Sequence, residues 1–312
     1  GAPKQWIVTV WLNGLWTKEP EVMVFEGLTL RQPRSADFEL EQPLELAPFG
    51  FQDLIPPFRF PSAVLEFRKR AKDQPELHYE METLLTALRL FRVGSVVALK
   101  VFWNSESVLG FGNVVTGTSR IATPADKYSL SSKELDSLRA FIQRIELLIP
   151  LEFIRGGETT DYMVTSLQRF NDAILKAEPP ESRMTFAIMS LEALYLKSGE
   201  REELEHRLSQ RIAKILSIFG RDPLEVYHTL RRSYEIRSKF VHGEPLEKVD
   251  RQYAAENLLK ILEYNRVSIV TSLQLKENMA KEQLLNLVDN SLLSPQAETK
   301  LNEKIKQICS VY

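Results

Sequence analysis

Over about the first 125 residues, apolar positions come in short runs separated by turn residues, the period-two signature of strands. The runs that predict strands are Gln5–Leu12, Glu21–Leu30, Phe38–Leu46, Ala63–Phe67 and Ser95–Trp103. Pro56, Pro57 and Pro61 mark a loop between two of them. One helix is embedded here, from about His78 to Phe91, with Met81, Leu84, Leu85, Leu88 and Phe91 on one face.

Near residue 130 the period changes to that of a helix. Ser131 and Glu134 have capping-box spacing, and Leu135, Leu138, Ile142, Ile145 and Ile149 follow before Pro150. A second helix is expected over about Thr160–Lys176, ended by Pro179 and Pro180, with Met163, Leu167, Phe170 and Ile174 facing inward. A third covers about Arg183–Lys197, and a fourth about Glu202–Phe219 before Gly220. Asp222 and Pro223 start the fifth as N-cap and first-turn proline, and Gly243 ends it. Its expected buried stripe is Tyr227, Leu230, Tyr234 and Val241. A sixth runs from about Val249 into the 270s, and a seventh from Ser294 to Cys309. The reading is α+β: a β-rich α+β N-terminal module at 1–127, then an all-α bundle with a helical tail at 128–312. The chain shows no internal repeat.

Composition acts mainly by exclusion. With 44% hydrophobic and 26% charged residues, 13 Gly and 16 Pro, the chain is neither low-complexity nor disordered. No apolar run approaches the ~18 residues that span a bilayer, so no membrane partner is expected. No secretory leader opens the sequence, although Gly1, Ala2 and Pro3 lack a Met, and a cytoplasmic setting is expected. The single Cys309 forms no disulfide within the chain, and with four His it leaves few soft ligands for a zinc site. No metal and no cofactor are expected. The net charge of -2 means that any nucleic acid must meet a local patch rather than a whole-protein field.

Phosphate-loop, nucleophile-elbow and His-Glu-x-x-His signatures are missing. Arg237 and His242 stand out on the fifth helix because neither belongs to its apolar stripe. Loose Arg/His spacing also occurs at Arg201/His206 and Arg221/His228, so the string Tyr234-x-Ile236-Arg237-Ser238-x-x-Val241-His242-Gly243 matters more. That string resembles the ApeA-like subgroup of HEPN domains, as do Leu191–Tyr195 and Leu208–Ala213 upstream. Weaker similarity reaches Ala63–Glu66 and Ala87–Phe91. The resemblance spans residues 60 to 275 and is densest from 185 to 245.

The resemblance implies a HEPN helical bundle that forms a homodimer and cleaves RNA without metal, as a phage-defence or toxin-type effector. Arg237 and His242 are then the catalytic pair, and cleavage leaves 2′,3′-cyclic phosphate ends. The chemistry is coherent by itself. Histidine titrates near neutral pH, and a helix C-terminus favours its protonated form, which suits a general acid. Arginine offers a charged planar fork for phosphate oxygens. Five residues along an ideal helix separate the two side chains by about 140°, so they converge only if the last turn unwinds or two subunits pool their motifs.

Arg211, Ser238 and Lys239 are the candidate substrate-binding residues, with Glu192 and Tyr234 in support. Glu192, among apolar neighbours, needs a cationic partner, and Arg237 or Arg211 could serve. Arg207, Arg211 and Lys214 form either a phosphate stripe or a salt-bridged face with Glu202, Glu203 and Glu205. His78, His206 and His228 read as surface or packing residues. A second function stands beside the first: a HEPN dimer that binds RNA or nucleotide without cutting, or a protein-interaction scaffold. Ser238, where catalytic members often carry Asn, Asp or His, and the lack of an overall basic balance favour the second. The intact Arg237/His242 pair favours the first. The N-terminal module has no legible ligand and is a candidate site for a protein partner.

Overall fold

The computed structural model describes residues 3–39, 60–105, 113–116, 127–157, 160–176 and 178–311. The protein is α+β, strand-rich first and helical after. Two compact units divide it, residues 1–85 with 94–140, and residues 86–93 with 141–312.

Alternating runs in the first unit give β1 (Lys4–Asn13), β2 (Leu15–Thr17), β3 (Glu21–Phe25) and β4 (Leu28–Arg31). A short α1 (Ser35–Glu39), β5 (Ala63–Ala71), α2 (Gln74–Phe91), β6 (Val97–Ser105), β7 (Asn113–Thr116) and β8 (Tyr128–Leu130) follow. Six strands make an antiparallel sheet in the order β3-β4-β5-β1-β6-β7, while β2 and β8 pair in parallel. On the central β1, Val8, Val10 and Leu12 lie opposite Phe67, Leu65 and Ala63 and share a buried face with them. Trp11 points the other way and meets Phe102 with ring centroids 5.4 Å apart. Gly14 turns the chain from β1 to β2 at φ +85°, and a Cβ there would lie 2.2 Å from the Ser95 carbonyl oxygen. Only glycine fits.

Several strand expectations change. Glu21–Leu30 is a hairpin of two strands, because Gly27 takes φ +77° between them. Of Phe38–Leu46, the first two residues close α1, and the rest lies outside the described residues, as do Pro56 and Pro57. The Asp37 carboxylate sets that helical turn by accepting from Arg31 Nη1 at 2.7 Å and from the Arg34 amide at 2.6 Å.

After the predicted capping pair, where Glu134 accepts from the Ser131 amide at 3.0 Å, come α3 (Leu135–Ile145) and α4 (Leu151–Arg155). The bundle continues as α5 (Tyr162–Leu175), α6 (Pro180–Tyr195), α7 (Leu204–Ile218) and α8 (Pro223–His242). It ends with α9 (Lys248–Lys276), α10 (Lys281–Ser291) and α11 (Pro295–Ile308). Pro180 opens α6 as its first residue rather than only breaking its predecessor. The sequence reading missed α4 and α10. No helix among the described residues is long and apolar enough to cross a membrane.

Helix α6 is central, packed by α5, α8 and α9 and buried on several sides. From Ile261 onward α9 is also largely enclosed, polar groups included. Asn265 donates to the Ala187 carbonyl at 3.0 Å and accepts from Ser190, also at 3.0 Å. Arg266, 1% exposed, pairs with Glu263 at 2.7 and 2.8 Å and donates to the Leu90 carbonyl at 2.9 Å.

Leu90 belongs to the last turns of α2, so the helical unit does not begin at residue 128 but draws on residues 86–93. Phe91 meets Phe141 with ring centroids 5.5 Å apart within the same unit. A fragment of residues 128–312 loses these apolar side chains and one carbonyl acceptor of a buried arginine. We expect it to bind a hydrophobic dye and to lack a sharp thermal transition. Cooperative melting at the full-length midpoint would show that residues 86–93 are dispensable.

Candidate functional site

The motif helix α8 starts on Asp222, whose carboxylate accepts from the Glu225 amide at 2.7 Å, with Pro223 in the first turn. Its buried stripe is Val226, Thr229, Leu230, Ser233 and Ile236. This corrects the expected stripe, of which Leu230 alone is fully buried. Val241 is 50% exposed, and Tyr227 and Tyr234 are half-buried. The reason is physical. Ser233 is satisfied by its own helix, donating to the Thr229 carbonyl at 2.8 Å, so a small polar residue can occupy the close-packed face. The tyrosines instead sit at the margin, where their hydroxyls find partners, Tyr227 with His206 Nδ1 at 2.9 Å.

Arg237 follows Ile236 at the edge of this stripe and reaches α6, where its Nη2 donates to Glu192 Oε2 at 2.8 Å. Its guanidinium lies 5.5 Å from the centroid of the Tyr234 ring. The Nε is enclosed and has no protein acceptor. Both charges of the pair are mostly covered, at 19% and 15% side-chain exposure. Burial raises the Glu192 pKa above the usual carboxylate value, with the Arg237 charge and hydrogen bonds from Arg237 and Tyr234 opposing it. Of the two partners open to Glu192 in the sequence, the structure selects Arg237.

His242 is the last residue of α8 and is exposed. Gly243, at φ 71° and ψ 17°, closes the helix, and the Glu244 amide donates to the Lys239 carbonyl at 2.9 Å. The backbone is therefore helical through the whole motif, and the last turn does not unwind before His242. Arg237 and His242 leave it about 140° apart.

The other candidates are engaged. Arg211, 1% exposed, uses all its donors inside the unit, so the substrate-binding role expected for it is corrected to a structural one. Nε and Nη2 reach Asp289 at 2.7 and 2.9 Å, Nη1 and Nη2 reach Glu200 at 2.8 and 2.7 Å, and Nη1 also reaches the Tyr195 carbonyl at 2.7 Å. Lys239 donates to Asp250 at 3.0 Å, and Arg232 to the same carboxylate at 2.5 Å. Burial works against the charge of Asp250, but hydrogen bonds from Lys239 and the Glu247 amide, with the Arg232 charge, lower its pKa overall. Ser238 is half-buried between these charged neighbours in sequence. Arg207 pairs with Glu200 at 3.3 Å and Lys214 with Glu298, which makes that face salt-bridged. His78 and His228 are exposed.

Among the described residues, no group of three or more His, Cys, Asp and Glu could hold a metal ion. Burial pushes the Cys309 thiol up to about 12, so it is a poor nucleophile near neutral pH. No protein-family model matches the chain, and neither does any curated protein or solved structure. Sequence reasoning missed Glu200, Asp250 and Asp289, the acidic partners that immobilise its basic candidates. Glu200 and Asp289 lie in elements remote from the motif, and only the odd burial of Arg211 on an apolar face could have pointed to them.

Replacing Arg211 by Met leaves Glu200 and Asp289 facing each other without their cation. We expect a loss of about 3 kcal/mol in urea unfolding at pH 7. The Arg211 hydrogen bond chiefly holds Glu200 at about 2, below its ordinary 4.5. A depressed carboxylate contributes stability that is present above 4.5 and lost as pH falls toward 2. The wild type should therefore weaken across that window and the variant should show a flatter profile. Parallel profiles would contradict the assignment.

Proposed function

We propose that the chain is a HEPN-type endoribonuclease that needs no metal and acts as a homodimer in the cytoplasm, as a defence or toxin-type effector. The observation that carries this reading is the geometry of α8, which holds Arg237 and His242 on one regular helix but on different sides of it. Neither subunit alone can aim both at one phosphate from that backbone. Two copies of α8 side by side can place the Arg237 of one near the His242 of the other, the two-fold logic of an isologous interface. Phe240 and Val241, 41% and 50% exposed, immediately precede His242, and Val249 at the start of α9 is 56% exposed. These give a second copy an apolar surface to cover.

In the composite site, the ribose 2′-hydroxyl attacks phosphorus and loses its proton to solvent water, while His242 at the exposed end of α8 protonates the 5′-oxygen as its bond to phosphorus breaks. Arg237 stabilises the added negative charge on the phosphorane through its planar fork. The products are a 2′,3′-cyclic phosphate and a 5′-hydroxyl. The RNA phosphate must share Arg237 with Glu192 or displace it. Glu192, whose pKa burial already raises, can take up a proton in place of the departing cation.

A specific observation favours the non-cutting alternative. Arg237 and Lys239 are both tied to carboxylates, at 2.8 and 3.0 Å, as in a module that uses them to hold its fold. The experiment that separates the two is incubation of the full chain with mixed RNA in excess EDTA, followed by end-group analysis. We expect 5′-hydroxyl products and a loss of about 10²–10⁴-fold in His242→Ala. Arg237→Lys should also fail, because a point charge does not replace a bidentate fork. No cleavage by the wild type supports the alternative, whereas full activity in His242→Ala, or cleavage that requires Mg²⁺, overturns the Arg237/His242 mechanism.

Dimerisation is checked separately. Val241 is half exposed, so Val241→Asp should fold normally and sediment as a monomer at micromolar concentration where the wild type is a dimer. A wild-type monomer, unchanged by RNA, would contradict the composite site.

A further inference from the structure

Beside the motif, α5, α6 and the first residues of α10 line an open groove of about 550 Å³, with Glu192 in its wall. That size lies within the ~300–1,000 Å³ range of small-ligand sites. Tyr162, Met189 and Leu196 supply flat and apolar wall, while Lys281, Lys197 and Arg169 supply positive charge. These cations are not equivalent. Lys197 is neutralised by Asp289 at 2.8 Å and Arg169 by Asp172 at 3.0 Å.

Lys281 differs from both. It is half-buried, donates to the Ala193 carbonyl at 2.6 Å, and stands 5.2 Å from the centroid of the Tyr162 ring. Among the described residues no carboxylate forms an ion pair with it. Glu282 and Glu200 act on it only as more distant charges, and burial lowers its pKa despite them. A half-covered ammonium with spare donors is a cation that lacks its counter-charge. The other acidic wall residue, Glu192, is already taken by Arg237.

We propose that this groove binds a small organic phosphate monoester, its phosphate on the Lys281 ammonium and its flat or apolar body against Tyr162, Met189 and Leu196. A phosphate suits the site better than a carboxylate. Lysine acts on phosphate as a point charge and needs no bidentate geometry, and a dianion gains more than a monoanion from the Lys281 ammonium. The apolar wall demands a body beyond the phosphate itself. This site is distinct from the ribonuclease reading and stands whether or not the chain cleaves RNA.

The test is calorimetric titration of the full-length protein with phenyl phosphate, inorganic phosphate, benzoate and adenosine monophosphate. Phenyl phosphate should bind more tightly than inorganic phosphate, because it fills the apolar wall, and more tightly than benzoate, because of its charge. The adenosine arm distinguishes a nucleotide from a smaller ester. Lys281→Ala should weaken phenyl phosphate binding about tenfold or more, the scale of one lost charged hydrogen bond, and Lys281→Arg should largely retain it. Lys281 also satisfies a helix-end carbonyl, so Thr160→Glu, at an exposed position on the groove rim, provides a variant that keeps the fold. It should weaken binding several-fold by charge repulsion. Equal binding by wild type, Lys281→Ala and Thr160→Glu overturns the proposal. So does equal binding of phenyl phosphate and benzoate, or the absence of phenyl phosphate binding at millimolar concentration.

Discussion

The enclosure of α6 governs the helical unit, because the polar groups it carries into the interior and cannot satisfy within the helix need partners from neighbouring elements. Each neighbour supplies one. Asn265 of α9 takes the Ala187 carbonyl, and Ser166 of α5 lies 2.8 Å from Ser190. Arg211 of α7 takes the Tyr195 carbonyl and Lys281 of α10 the Ala193 carbonyl, two of the acceptors that a helix end leaves open. Arg237 of α8 takes the Glu192 carboxylate. Breaking one of these links leaves a buried group unsatisfied, at a cost of about 1–3 kcal/mol and more where a charge is involved. The polar bonds thus set the register of the bundle, and the apolar stripes supply the general drive to pack.

The same arrangement explains why the motif arginine is simultaneously a fold element and a candidate catalytic group. Its partner Glu192 forms one wall of the α5–α6–α10 groove, so the motif and the groove meet at a single carboxylate. His242 carries no comparable structural duty at the exposed end of α8. The two motif residues therefore differ in what a substitution tests. Losing Arg237 uncovers a half-buried Glu192, whereas losing His242 removes a solvent-facing imidazole.

Much of the architecture was legible in the sequence because it depends on local patterns. Asp222, Pro223 and Gly243 bounded α8, and Ser294 with Pro295 opened α11, since caps and prolines act within one turn. The change from strand to helix near residue 130 could be read from periodicity alone. What escaped was long-range. The short strands β2, β7 and β8 have too few residues to show alternation, and their place is given by pairing partners distant in sequence. The assignment of residues 86–93 to the helical unit depends on contacts such as Arg266 to Leu90, 176 residues apart. At the site, Arg237 and His242 were visible by their absence from the apolar stripe. The fate of Arg211 was not, because its acids Glu200 and Asp289 are brought to it only by folding.

The central claim is that a working site takes Arg237 from one copy of the chain and His242 from another. Subunit mixing tests it most directly. Arg237→Ala and His242→Ala, each expected to be inactive alone, are unfolded together, refolded as a mixture and assayed on RNA in EDTA. Mixed dimers then contain one site with both side chains intact, and the account predicts that the mixture recovers a measurable fraction of wild-type cleavage. A mixture as inactive as its components, with mixed dimers demonstrated by differential tagging, would contradict it.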